Sequence, residues 1–238
     1  MVLQCFMNTL LDLCPRLAQI TAAAIVAVSI LVILERLCAP AAAAWGELYP
    51  ALLAFLVISA KTVIPLVLLW KIAGLNPDCL GWVQGDRIQA LWKAIVLAAV
   101  MLAFAGVYQK YSHLIFGTPY QSTGGNILQH AHSSAAIALL LSASLMNAFG
   151  EEIIFRGMLL PALSTRCGIG LAIVLQSLIF TLYHFFPLQN SVLLFFMGIL
   201  FGLGYLWSGS LLTPVIAHLI ENGAGVAVFL YKNYLLKS

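Results

Sequence analysis

Uncharged apolar stretches of about twenty residues recur along the chain, separated by short polar segments. A helix needs ~20 apolar residues to cross the ~30 Å hydrocarbon of a bilayer, so the spacing predicts an all-α, polytopic transmembrane bundle. The expected spans are Leu17 to Leu34, Leu48 to Trp70, Gln89 to Tyr108, Ser134 to Leu163, Gly168 to Phe186, Ser191 to Trp207 and Leu211 to Tyr231. That makes about seven, with an eighth if part of Gly117 to Ser134 re-enters the membrane. The first run is longer than the ~7–15 apolar residues of a secretory signal and reads as a retained span. From Cys167 to Ile220 there is no Asp, Glu, Lys or Arg, and breaks at Pro187 to Asn190 and Ser208 to Ser210 divide the stretch into helices joined by tight turns. The chain reads as one membrane domain over residues 1–238, with a motif-bearing core over 134–231.

Composition sharpens this picture. Of the residues, 63% are hydrophobic and 8% charged, against roughly a quarter charged in ordinary soluble domains. A net charge of +3 on so few ionisable groups leaves no basic stripe for a phosphate backbone, so nucleic acid is not an expected partner and the lipid bilayer is. The cysteines Cys5, Cys14, Cys38, Cys79 and Cys167 lack the spacing of a zinc knuckle or disulfide framework and read as apolar fillers. Lys and Arg in the loops favour a cytoplasmic N-terminus by a small margin, and the expected place is the plasma membrane of a prokaryote.

Ionisable groups inside apolar helices are costly, at least ~2.5–3.5 kcal/mol each at mid-membrane, and so point to cavities or partners. Here they gather in three helices: Glu151, Glu152 and Arg156 in the fourth, His184 in the fifth, and His218, Glu221 and Asn222 in the seventh. Glu152 and Arg156 lie four apart on one face and can pair, while Glu151 points ~100° away and stays available. The same spacing puts His218 beside Asn222, and Phe180 beside His184. Glu151 and His184 stand at similar distances, ~22–27 Å, from the turn near Arg166, so an antiparallel hairpin brings them level. Lys61 lies deep in the second span, where a polar partner or snorkelling to the headgroups would accommodate it. His130 and His132 fall in a polar loop and read as solvated, and Glu221 reads as interfacial or partnered rather than as a cavity acid.

A carboxylate, two imidazoles and an amide around one cavity suit peptide-bond hydrolysis, in either of two ways. In one, His184, His218 and one glutamate, Glu151 in the first instance, hold a divalent metal such as zinc, with the other glutamate as base. In the other, Glu151 holds the water against His184, and His218 or Asn222 stabilises the oxyanion. The spacing does not choose between them.

Three segments make the reading specific. EEIIFRG (Glu151 to Gly157) is similar to an EExxxR motif, FTLYH (Phe180 to His184) to FxxxH, and HLIEN (His218 to Asn222) to HxxxN. In this order they resemble the CAAX-protease and bacteriocin-processing (Abi) family of intramembrane proteases, over roughly Ser134 to Tyr231. The resemblance implies that Glu151, Glu152, His184, His218 and Asn222 form the active site, with Arg156 supporting it. It also implies a membrane-associated peptide or protein substrate, such as a prenylated CAAX tail, or a part in bacteriocin maturation and immunity. A transporter would spread its polar groups along a path, whereas here they cluster. An inert immunity or scaffold protein would not need the motif residues intact.

Overall fold

The computed structural model describes residues 17–68, 81–82, 86–121 and 133–231. His130, His132 and most of the stretch expected to re-enter the membrane lie outside the described residues. Within them the chain is helical, with no strand.

Besides a single helical turn at His113–Phe116, the helices are α1 (Leu17–Ala43), α2 (Leu48–Val67), α3 (Arg87–Tyr111), α4 (Ser134–Glu152), α5 (Leu160–Cys167), α6 (Ile169–Tyr183), α7 (Leu188–Ser208) and α8 (Leu212–Leu230). A π-helical segment, Ile153–Leu159, joins α4 to α5 without a break, so seven long helical stretches stand where seven spans are expected. Five are long and apolar enough to cross a membrane, and α6 and residues Leu212–Val228 of α8 form two shorter apolar helices. Outward faces carry Val26, Ile30, Leu56, Ile95 and Leu182, all exposed. Lipid solvates such a surface where water would drive it to aggregate.

Two boundaries differ most from expectation: α1, expected to end at Leu34, continues to Ala43, and the fifth span is shorter than expected. The fifth span, expected to run to Phe186, ends at Tyr183, and His184 caps it. Pro187 disfavours helical backbone at the residue before it, and Phe185 takes a left-handed φ of 51°. His184 therefore sits at the α6–α7 turn, at the end of a helix of 15 residues.

Packing of α2 against α4 sets the geometry that matters most. The two run parallel, in a register pinned at their starts, where the Ser133 N–H donates to Glu47 at 2.7 Å. Ala51 and Ala54 then pack against Ala136 and Leu140. Further along, the Thr62 hydroxyl donates to the Met146 carbonyl at 3.0 Å. Gly150 permits the closest approach, since a Cβ there would lie 2.6 Å from Thr62 Oγ1 and 3.2 Å from its Cα.

Gly150→Ala should therefore lower stability by about 1–3 kcal/mol, the usual cost of overpacking, read as a lower Tm in detergent. Gly106→Ala is the control, because a Cβ at Gly106 meets nothing within 4 Å. Equal melting of the two variants would refute the close packing of α2 on α4.

Candidate active site

Glu151 and Glu152 are the last residues before the helix widens into π turns. Pro161 has no N–H to offer the Gly157 carbonyl, so the α-helical ladder is interrupted just where the widened turns lie. All seven residues of the π segment are buried.

Glu152 is fully enclosed. Its Oε1 accepts from Arg156 Nη1 at 2.9 Å and from His218 Nδ1 at 2.9 Å. Arg156, also without exposed surface, donates through Nη2 to the Gly198 carbonyl at 3.1 Å. Its guanidinium lies between the rings of Phe180 and Phe201, 4.7 and 4.8 Å from their centroids. Gln176 donates to the same Gly198 carbonyl at 3.0 Å. Phe201 also packs against the His218 ring in a tilted arrangement, at 4.7 Å between centroids. Phe180 thus does more than wall the histidine: it forms one side of the slot that holds the arginine.

Glu151 points elsewhere, as its 100° offset from Glu152 requires. Its Oε1 lies 3.4 Å from His184 Nε2 and 3.5 Å from Lys61 Nζ, and its Oε2 lies 3.9 Å from His218 Nε2. The carboxylate is buried, yet its Oε1 forms no direct hydrogen bond. These separations suit a small polar molecule between the groups better than direct contact.

Both imidazoles are oriented by what their Nδ1 atoms face. His184 Nδ1 lies 2.7 Å from the Phe180 carbonyl, and His218 Nδ1 faces the Glu152 carboxylate. Each acceptor fixes the proton on Nδ1 and turns a neutral ring's Nε2 lone pair toward Glu151. The turn that carries His184 is held from outside: Arg36 of α1 donates to the carbonyls of His184 and Phe185. Its guanidinium also lies 5.8 Å from the ring centroids of Phe185 and Phe186.

The structure thus brings together Glu151, Glu152, Arg156, Phe180, His184 and His218. Asn222 stands apart from this group, since its amide donates to the Ser144 carbonyl at 3.1 Å. Ser144 is two turns, ~10 Å, before Glu151 along the helix. Glu221, expected to be interfacial or partnered, is half-buried.

Two neighbours, Phe201 and Arg36, escaped sequence reasoning, while Lys61 was offered a polar partner and has one. Lys61 had a signal in its depth within an apolar run. Phe201, one aromatic among many in α7, had none.

As a metal site, Glu151, His184 and His218 do not fit. Among the described residues no group of three or more His, Cys, Asp or Glu converges as metal ligands. The Lys61 ammonium, 3.5 Å from Oε1, would repel a divalent cation there.

Residues 133–224 match the family described as type II CAAX prenyl endopeptidase Rce1-like. The match spans all three motifs; α1, α2 and α3 lie outside it. The chain is also 32% identical over 138 residues to the uncharacterized protein YpbD of Bacillus subtilis (strain 168). That alignment covers 56% of this chain and 65% of the relative's length. No solved structure matches the chain significantly.

Arg156→Met should destabilise the protein by about 3–5 kcal/mol, because it strands Glu152 in the interior without its cation. Arg156→Lys should recover only part of this, since an ammonium cannot fill a planar slot between two rings and reach both acceptors. Thermal melting in detergent reads both, and a neutral Arg156→Met would contradict the buried pairing.

Proposed function

From the Rce1-like match over residues 133–224 and the grouping of side chains around Glu151, we propose that this chain is an intramembrane endopeptidase. It hydrolyses a peptide bond in a membrane-associated protein or peptide of prenylated CAAX type, with water activated by Glu151. The observation that carries the reading is the Glu151 carboxylate faced by the Nε2 atoms of two histidines, at 3.4 and 3.9 Å.

The chemistry follows from the acceptors. A neutral His184 with its proton on Nδ1 and the Glu151 carboxylate present lone pairs to the same space, while His218 enters the reaction with both ring nitrogens protonated. A water there donates one hydrogen to Glu151 and the other to His184 Nε2, which leaves its oxygen lone pairs for attack. As the C–O bond forms, Glu151 takes the water proton and the carbonyl oxygen becomes an oxyanion.

His184 and His218 differ in a way that assigns their parts. His184 spends its Nδ1 proton on a neutral carbonyl, whereas His218 spends it on the Glu152 carboxylate. Protonated His218 then offers Nε2–H to the oxyanion, with Glu152 and Arg156 holding the ring in place. Asn222, one turn along α8 and bonded to the Ser144 carbonyl, lies away from this charge and has a second amide hydrogen for the substrate backbone. When the C–N bond breaks, the proton on Glu151 passes to the leaving amine. No step needs a metal.

The test is cleavage of a fluorescent prenylated CAAX peptide by the purified chain in detergent. Glu151→Gln and His184→Ala should each lower kcat by at least about 10²-fold, the scale of lost acid–base catalysis. A zinc chelator should leave the wild-type rate unchanged. Loss of activity with chelator, restored by zinc, would replace the metal-free scheme; Glu151→Gln at the wild-type rate would overturn the protease reading.

A further inference from the structure

Resting on the reading of Glu151 as the base, we propose that Lys61 is the counter-ion that holds this carboxylate in its working position. The site is then completed by a helix outside the Rce1-like segment. Charge counting leads there. The EExxxR segment supplies two carboxylates and one cation, and both Nη groups of Arg156 are committed, Nη1 to Glu152 and Nη2 to the Gly198 carbonyl. Both histidine Nδ1 atoms face other acceptors. Apart from the two imidazoles, which face it through Nε2, no permanent cation within residues 133–224 is left to balance Glu151.

Lys61 meets that need from α2. It is 7% exposed, so its charge is withdrawn from water and must be satisfied inside the bundle. Its Nζ donates to Asn147 Oδ1 at 3.0 Å, lies 3.5 Å from Glu151 Oε1, and stands 4.8 Å from the centroid of the Tyr183 ring. Asn147 and Glu151 are four apart on α4, and Tyr183 precedes His184. The ammonium thus braces both walls of the site at once: the helix that carries the base and the turn that carries the imidazole.

The parallel register delivers it. The Glu47–Ser133 contact and the approach of Thr62 to Gly150 leave Lys61 opposite Asn147. Lys61 touches Glu151 and not the scissile bond, so it is a positioning residue. Its charge keeps Oε1 toward His184, where the water must sit.

The experiment uses the purified full chain, as wild type, Lys61→Met, Lys61→Arg and the double variant Lys61→Met/Glu151→Gln. Two readouts are taken: kcat and KM on the prenylated peptide, and the melting temperature. Lys61→Met should lower kcat about 10²-fold, as expected for a misplaced catalytic group, with KM within about two-fold of wild type. Lys61→Arg, which keeps the charge, should retain most of the rate.

In melting, Lys61→Met should be less stable than wild type, and the double variant should recover, because it removes the carboxylate left unpaired. A wild-type kcat for Lys61→Met, or a double variant no more stable than Lys61→Met, would overturn the proposal. If the wild type cleaves nothing, the protease reading falls, while the melting cycle still decides whether the two charges are paired. If Lys61→Met does not fold, a double variant that folds supports the pairing and one that does not refutes it.

Discussion

The constraint on which this structure turns is the cost of holding charge in a medium that cannot solvate it. A carboxylate moved from water to an apolar interior loses several kcal/mol even after relaxation, and regains them only from a close cation and hydrogen bonds. Two adjacent glutamates in an apolar helix double the demand. The fold answers with two cations from different places. Arg156 comes from the same helix, four residues on, and Lys61 from α2.

Much of the surrounding architecture serves those pairings. The guanidinium needs a slot of its own shape, so Phe180 and Phe201 approach from α6 and α7, and Gly198 leaves its carbonyl within reach. The ammonium needs α2 at close range, which the small residues along the α2–α4 contact and the bare Cα of Gly150 permit. Arg36 ties α1 to the turn after His184. One carboxylate is locked to an arginine and a histidine. The other is left with neighbours slightly beyond hydrogen-bonding distance, which is the arrangement a reactive group requires.

The all-helical bundle and the ends of most spans were legible, because an uncharged run closed by polar breaks leaves little freedom in lipid. The meeting of Glu151 with His184 was legible too, from equal distances to a shared turn. Other features were not. Helices apolar on nearly every face carry little periodicity to say which face meets which neighbour, so the partner of Lys61 and the choice of Phe201 over other aromatics were hidden. The early end of α6 had a signal in Phe186-Pro187 that an unbroken apolar run obscured. Asn222, read as part of the cluster from its spacing to His218, shows that two residues on one helix face need not reach one point: one turn of rise sends its amide to Ser144.

The parallel pairing of α2 with α4 also bears on how the molecule is made. Lys61 leaves the ribosome 86 residues before Asn147, to which it is hydrogen-bonded in the finished protein. During that interval a helix carrying an ammonium at its buried face must wait beside the bilayer core without its acceptors, while α3 crosses. Its side chain can reach the headgroups only by sliding or tilting the helix. Settling of α2 is then a late event, driven by the arrival of α4, and the pairing that completes the candidate site also closes the assembly of the bundle.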